Sequence, residues 1–350
     1  MSQRKVVFGQ RGSFSRPPYS KTPAEILMTS AEVSIVVTTF ERPNHLRNCL
    51  RSLENQDYNP RCYEVIVADD GSRGSETEGC VAEFATHWPG RTLFLTQPKK
   101  GFRLATCRNK AAAVSSGRIV IFLDGDCVVP PQFVRAMVDE LRPRTVVAGD
   151  CYRLTQEATE SIDLPRIDTW DIEQVISHKE SKRLRRKAFR ARIYSLLSVP
   201  MRPRLTGCAF ACHREDLLSV NGFDENFVGW GFEDRDIQRR FLLNGIRTRT
   251  VLHRVKAIHL WHPFDPTFSR NGEGTANRTY YEQGPVTPYC QRGMSQYLDG
   301  SVACQIFDRP LLSDVTGLAA QAANSTHAVR AGAAVAAADL PASSLSVSVG

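Results

Sequence analysis

Asp124-Gly125-Asp126 follows directly on the apolar run Arg118-Ile-Val-Ile-Phe-Leu123. Two carboxylates two residues apart, at the end of a predicted buried strand, make an oxygen-ligand pair for a hard divalent cation. Such a cation keeps coordination positions open for a diphosphate. The tripeptide also occurs in plain turns and calcium loops, so its place in the chain carries the weight. A strand that feeds carboxylates into a crevice at its carboxyl end is where open α/β sheets bind ligands.

Two other predicted strands end in polar clusters, Thr38-Thr39-Phe40-Glu41-Arg42 and Asp69-Asp70-Gly71-Ser72. In a parallel sheet these ends share one edge with Asp124-Gly-Asp126 and converge on one crevice. Asp70 is placed to accept from a base or ribose donor, and Arg108, on a following helix, to neutralise a phosphate. Asp and Ser also cap helices routinely, and capping is the expectation for Ser72.

A later segment, Asn221 to Asp236, reads NGFDENFVGWGFEDRD. Acids in a first helical turn are favoured by the helix dipole without any function. Here, however, Trp230-Gly231 precedes the acid pair Glu233-Asp234. Trp230 offers a flat apolar face to a sugar ring, and Asp234 a carboxylate base within reach of an acceptor hydroxyl. Farther on, His259 ends the apolar run Ala257 to Leu260, where a neutral imidazole completes the metal set begun by Asp124 and Asp126. His262 is the rival ligand.

These groups need a scaffold. Val33 to Thr39, Glu64 to Ala68, Thr92 to Leu95, Ile119 to Leu123 and Thr145 to Ala148 are predicted strands. Helices are predicted from Pro43, where Leu46, Cys49, Leu50 and Leu53 recur at helical spacing, over about 105–115, from Pro131 to about Leu141, and over Glu233 to Asn244. Regular structure resumes over Leu205 to Cys212, with strand-like runs at Thr248 to Leu252 and Ala257 to Leu260. The fold class is therefore α/β, a mostly parallel sheet flanked by helices, which the resemblance given below makes a nucleotide-binding one. A helical basic insertion is expected over about 155–203.

In domain terms, 1–30 is a flexible basic arm, 31–265 the catalytic unit, 266–318 an extension in which order declines, and 319–350 a disordered Ala/Ser-rich tail. The 350 residues include ten cysteines without a Cys-x-x-Cys pair, which excludes zinc-finger and thioredoxin chemistry and points to reduced, buried thiols. No apolar stretch has the length of a membrane span and the N-terminus has no signal-like core, so the expected location is cytoplasmic or at the cytoplasmic face of a membrane. The net charge of +8 implies an anionic partner. Much of it lies in Lys179 to Arg192, KESKRLRRKAFRAR, a candidate contact with an anionic membrane surface. Its apolar positions Leu184, Ala188, Phe189 and Ile193 make a thin stripe, equally consistent with a solvated helix. It lacks the interleaved aromatics of a nucleic-acid binder.

Taken in order, VSIVVTTFERP, VIVADDGS, GFRLATCRNKA, IFLDGDC, TGCAFACHRE, GFDENFVGWGFEDRDIQRRFLLNG and AIHLWHP resemble the family-two inverting glycosyltransferases of the GT-A fold. The closing part looks like the galactosyltransferase-type region shared with chondroitin-polymerase-like enzymes. The resemblance implies a nucleoside-diphosphate sugar donor, most often UDP-linked, and a glycan, lipid-linked or small-molecule acceptor. It implies Thr39, Glu41 and Asp70 around the nucleotide, and Asp124 and Asp126 at the diphosphate and its Mn²⁺ or Mg²⁺, with Asp126 the direct ligand and His259 closing the site. It implies Trp230, Gly231 and Glu233 at the acceptor and Asp234 as the base of a single displacement. Phe232 departs from a common glycine, Thr38 from a common proline and Glu41 from a common asparagine. Two other readings are a sugar-phosphate nucleotidylyltransferase, which lacks its glycine-rich phosphate loop here, and a non-catalytic nucleotide-sugar or carbohydrate-binding protein of the same fold.

Overall fold

The computed structural model describes residues 31–307 apart from 270, 271 and 285. The expected 1–30 arm and 319–350 tail lie outside the described residues. Strand β1 (Val33–Thr39) is buried along its whole length, as its β-branched sequence dictates. Helix α1 (Pro43–Glu54) starts with proline in its first turn and buries Leu46, Cys49, Leu50 and Leu53. Then come β2 (Tyr63–Asp69), α2 (Glu76–His87), β3 (Thr92–Thr96), α3 (Leu104–Val114), β4 (Ile119–Asp124) and the short β5 (Cys127–Val128). Helix α2 is not among the elements predicted from the sequence, and neither are the later helices Arg214–Ser219 and Ala276–Gln283. The buried side chains of α2 are Thr77, Cys80, Val81, Phe84 and Ala85, too few large apolar residues to stand out as a stripe.

Helix α4 (Phe133–Glu140), β6 (Thr145–Ala148) and β7 (Cys151–Arg153) lead into the insertion. It is helical as expected, with short α5 (Gln156–Glu160) and α6 (Leu164–Asp168) before the long basic α7 (His178–Leu196). The chain returns through β8 (Ala209–His213), α8 (Arg214–Ser219), α9 (Glu233–Leu243), β9 (Arg247–Thr250) and β10 (Ala257–His259). Strand β8 starts four residues after the expected Leu205.

The main sheet runs β11-β3-β2-β1-β4-β8-β6-β9, where β11 is Gln305–Phe307. Strands β3, β2, β1 and β4 are parallel, and β8 is antiparallel to both β4 and β6. One core, with Ile35, Leu50, Phe84 and Phe133, fills one face; another, with Val36, Phe122, Phe210 and Phe241, fills the other. A second sheet, β5-β10-β7, packs Val128 and Ile258 against Ile167 and Ile172 of the insertion.

Beyond Pro263 the described residues include further regular structure. Helix α10 (Ala276–Gln283) is followed by a 3-10 turn at Met294–Tyr297 and by β11, which pairs antiparallel with β3. Asn277 donates to the carbonyls of Gly229 and Gly231 at 3.2 and 2.9 Å. Asn221 donates to the Cys290 carbonyl at 2.7 Å and accepts from Ser295 N at 2.7 Å. These side-chain-to-backbone bonds replace the apolar periodicity that the segment lacks.

Candidate active site

Register brings the polar clusters together. Thr39 lies opposite Asp69, Thr38 opposite Asp124 and Asp69 opposite Thr96. The ends of β1, β2, β3 and β4 therefore form one sheet edge. Strand β10 then runs antiparallel beside β5 with His259 opposite Cys127, and Leu260 N donates to the Asp126 carbonyl at 2.9 Å. A residue distant in sequence is thereby held next to Asp126.

The ligand atoms of Asp126, His259 and His262 lie within 4.8 Å of one another. His262 Nε2 is 3.0 Å and His259 Nε2 3.5 Å from the Asp126 carboxylate. Burial disfavours the Asp126 anion, but His259, His262 and Arg42 outweigh it and hold this carboxyl well below its usual range. For His262 burial opposes protonation, yet Asp126 raises its affinity for the proton. His45, near His262, moves the other way because burial dominates. A cleft of about 400 Å³ opens beside His262, lined by Glu41, Arg42, His45, Thr159 and Trp261 among others.

Asp124 stands next to this group. Its Oδ1 accepts from Thr38 Oγ1 at 3.2 Å and from Arg108 Nη2 at 2.9 Å. Arg108, only 1% exposed, also donates to the Gly207 carbonyl at 2.9 Å and to Glu233 Oε1 at 3.4 Å. Thus Arg108 tethers the acid ending β4 to the acid opening α9, and its guanidinium is engaged by protein acceptors. Glu233 Oε2 is buried without a partner. Burial first and Asp234 second push the Glu233 carboxyl up to about 7, against the pull of Arg108. The Asp234 carboxyl is also raised, by burial, with Arg108 and the backbone of Arg235 and Gly207 opposing. Two neighbouring acids of raised proton affinity suit general acid–base chemistry.

The loop before α9 is set by backbone conformation. Gly229, Gly231 and Phe232 have φ of +89°, +88° and +76°. Glycine is the natural occupant of that region; Phe232 adopts it with its ring packed 5.5 Å from Tyr281 and under Arg235. Trp230 is 40% exposed and makes an edge-to-face contact with Phe268 at 4.6 Å between ring centroids. Glu41 also has positive φ, +53°, a conformation in which asparagine is enriched; this accounts for the asparagine that the resemblance places there.

Asp70 is buried and saturated by protein donors: Gln97 Nε2 at 2.7 Å, Lys99 Nζ at 2.9 Å and Arg103 N at 3.1 Å. Lys99 in turn lies 3.3 Å above the Phe40 ring. Ser72 is not a helix cap. It donates to Asp69 Oδ1 at 2.5 Å and accepts from Glu41 N at 2.7 Å, pinning the loops after β1 and β2 together. Sequence reasoning missed Lys99 and Gln97, and named Arg42 only as a member of the polar cluster after β1. The Lys99-Lys100-Gly101 turn after the third strand was the signal available for the first. It ranked His262 below His259, whereas the structure brings both to Asp126.

All ten cysteines are free thiols, seven of them buried. Asp150, Cys151 and Cys208 also cluster within 4.8 Å, but the Lys187 ammonium already sits on the Asp150 carboxylate, which marks a packed ion pair.

Two family models match consecutive stretches: "Glycosyl transferase family 2" over residues 34–199 and "N-terminal domain of galactosyltransferase" over residues 199–263. Among curated proteins, validoxylamine A glucosyltransferase of Streptomyces hygroscopicus subsp. limoneus is 28% identical over 234 residues, 61% of this chain and 48% of that one. Glycosyltransferase AglE of Haloferax volcanii is 29% identical over 109 residues, 31% of this chain and 35% of the relative. The chain thus spans about half the length of the first relative, or less in the second. Among solved structures, TarS 1-349 of S. aureus in complex with UDP-GlcNAc aligns with TM-score 0.49 at 15% identity, covering 67% of this chain and 60% of that one.

Proposed function

We propose, from the match of residues 34–199 to the glycosyl transferase family 2 model, that this chain transfers a sugar from a nucleoside-diphosphate donor, UDP-linked, to an acceptor hydroxyl with inversion at the anomeric carbon. The observation that carries this reading is the meeting of two groups at one sheet edge. Asp126, His259 and His262 form a set of metal-ligand atoms. Through Asp124 and Arg108 the same edge is tied to the raised acid pair Glu233 and Asp234.

The donor set fits a divalent cation. One carboxylate and two imidazoles offer three ligand atoms, and Asp126, held charged, supplies the anion. A mixed oxygen and imidazole set favours Mn²⁺ over Mg²⁺. When bound, the ion supplies electrostatic stabilisation of the charge that develops on the leaving diphosphate. Asp126, His259 and His262 are its proposed ligands. Asp124 faces the donor, held in place by Thr38 and by Arg108, which acts as a positioning residue.

Thr39, Glu41 and the Asp70–Lys99 pair form the nucleotide side of the crevice. Trp230 presents its partly exposed ring to the acceptor, and Gly231 gives the loop its turn. Asp234 takes the proton from the acceptor hydroxyl as that oxygen attacks the anomeric carbon, and the glycosidic phosphate bond breaks on the opposite face. Glu233, largely protonated below neutral pH, donates to an acceptor or donor hydroxyl from its buried position. The relatives' names support hexosyl transfer.

The test is nucleoside-diphosphate release from a panel of UDP- and GDP-sugars with Mn²⁺, and again with EDTA. Metal-dependent release from one donor is the expected result. Donor binding with no turnover across varied acceptors would replace this reading with a carbohydrate- or nucleotide-binding one.

A further inference from the structure

Helix α7 carries two apolar faces. Leu184, Ala188 and Ala191 point inward, where they pack with Leu252 and Tyr152. This corrects the single thin stripe read from the sequence. On the opposite side Phe189, Ile193, Leu196 and the C-cap residue Leu197 are 70%, 38%, 77% and 71% exposed. Their spacing, i, i+4, i+7 and i+8, puts them on one outward stripe near the end of the helix.

Cations surround that stripe. Lys179, Lys182, Arg185, Arg186, Arg190 and Arg192 are exposed, and none forms an ion pair among the described residues. Arg185, Arg186 and Arg190 line a shallow depression around Phe189. The other two basic residues of the helix are used internally: Arg183 on Glu180 and Lys187 on Asp150. Internal pairing therefore removes the cations on the inward side and leaves the outward ones unneutralised.

We infer that this outward face of α7 docks the protein on the surface of an anionic lipid bilayer, with Phe189, Ile193, Leu196 and Leu197 entering the headgroup boundary and the flanking arginines contacting lipid phosphates. Apolar side chains at the centre of an arginine- and lysine-rich face are the pattern of a helix lying in a membrane interface. Charge complementarity selects the partner: free cations of one sign without paired carboxylates match an anionic surface. No helix among the described residues is long and apolar enough to cross a membrane, so the contact is one of surface attachment. None of the residues of this face is among those placed in the candidate active site, so the inference does not depend on what that site transfers.

The test is flotation of the full chain with vesicles of phosphatidylcholine alone and with added phosphatidylglycerol, at low and high salt. Three proteins are compared: wild type, Arg186→Gln/Arg190→Gln and Phe189→Ser/Leu196→Ser. All substituted positions are exposed, so the variants fold, which far-UV circular dichroism checks. Wild type binds only the anionic vesicles. With roughly one factor of five per basic residue, the arginine variant partitions about 30-fold less. The serine variant loses binding as well, and salt weakens the wild type. No wild-type binding to anionic vesicles overturns the inference. So does equal binding to neutral ones, or binding indifferent to both substitutions. Light scattering that shows a wild-type dimer dissociated by Phe189→Ser/Leu196→Ser would reassign the face to self-association.

Discussion

Replacing Glu233 by glutamine isolates the cost of ionising a buried carboxyl. Glu233 is buried, 7% exposed, and its carboxyl is pushed from 4.5 up to about 7, by burial first and Asp234 second. A shift of that size corresponds to ~3 kcal/mol between the two protonation states. The folded protein keeps a proton that the unfolded chain releases, so this stability is fully present below pH 4.5 and is lost as pH rises through about 7. Glutamine has no such titration. Between about pH 5 and about pH 8 the variant should therefore gain ~2–3 kcal/mol relative to wild type. The static cost of altering the Arg108 contact is the same at both ends and cancels. Urea unfolding followed by tryptophan fluorescence across that range gives the difference directly. Parallel pH profiles for the two proteins would refute the buried, raised Glu233 and with it the picture of a dry acid pair.

Arg108→Met leaves Asp124 and Glu233 without their shared cation and should destabilise the fold by about 3–5 kcal/mol, read from the urea midpoint; a loss under 1 kcal/mol contradicts the tether. Asp126→Asn should weaken Mn²⁺ binding by more than ~100-fold in calorimetry, and His259→Ala and His262→Ala should each weaken it too; unchanged affinity in Asp126→Asn would place the cation elsewhere. At position 232, where φ is +76°, Phe232→Gly should be more stable than Phe232→Ala by about 1 kcal/mol, the reverse of the usual order, because only glycine enters that region without strain.

The scaffold was legible where burial is continuous. β1, β2 and β4 are fully or almost fully buried runs, so their apolar sequences announced them, and the polar residues at their ends announced the edge. The positions of Asp124 and Asp126 were legible for the same reason, and that of Glu233-Asp234 because the pair opens a predicted helix. The second imidazole was harder to rank. His262 lies beyond the end of β10, and only the path of the chain after Leu260 decides that it also reaches Asp126. The networks of Arg108 and Asp70 were out of reach, because they join residues from separate elements through side-chain geometry. Helix α10 and the turn at Met294–Tyr297 escaped for a related reason, since Asn277 and Asn221 hold them through backbone groups. The outward stripe of α7 needed burial to reveal it: sequence periodicity does not say which of two apolar faces is covered.

The most direct test of the central claim uses Asp234→Asn in a single-turnover assay with the donor that the panel identifies, with Mn²⁺ present. Asparagine keeps the size of the side chain and removes its basicity. The expected result is donor and metal binding within about twofold of wild type, with sugar transfer slowed by roughly 10²–10⁴-fold. Transfer at the wild-type rate would contradict the assignment of Asp234 as the base that activates the acceptor.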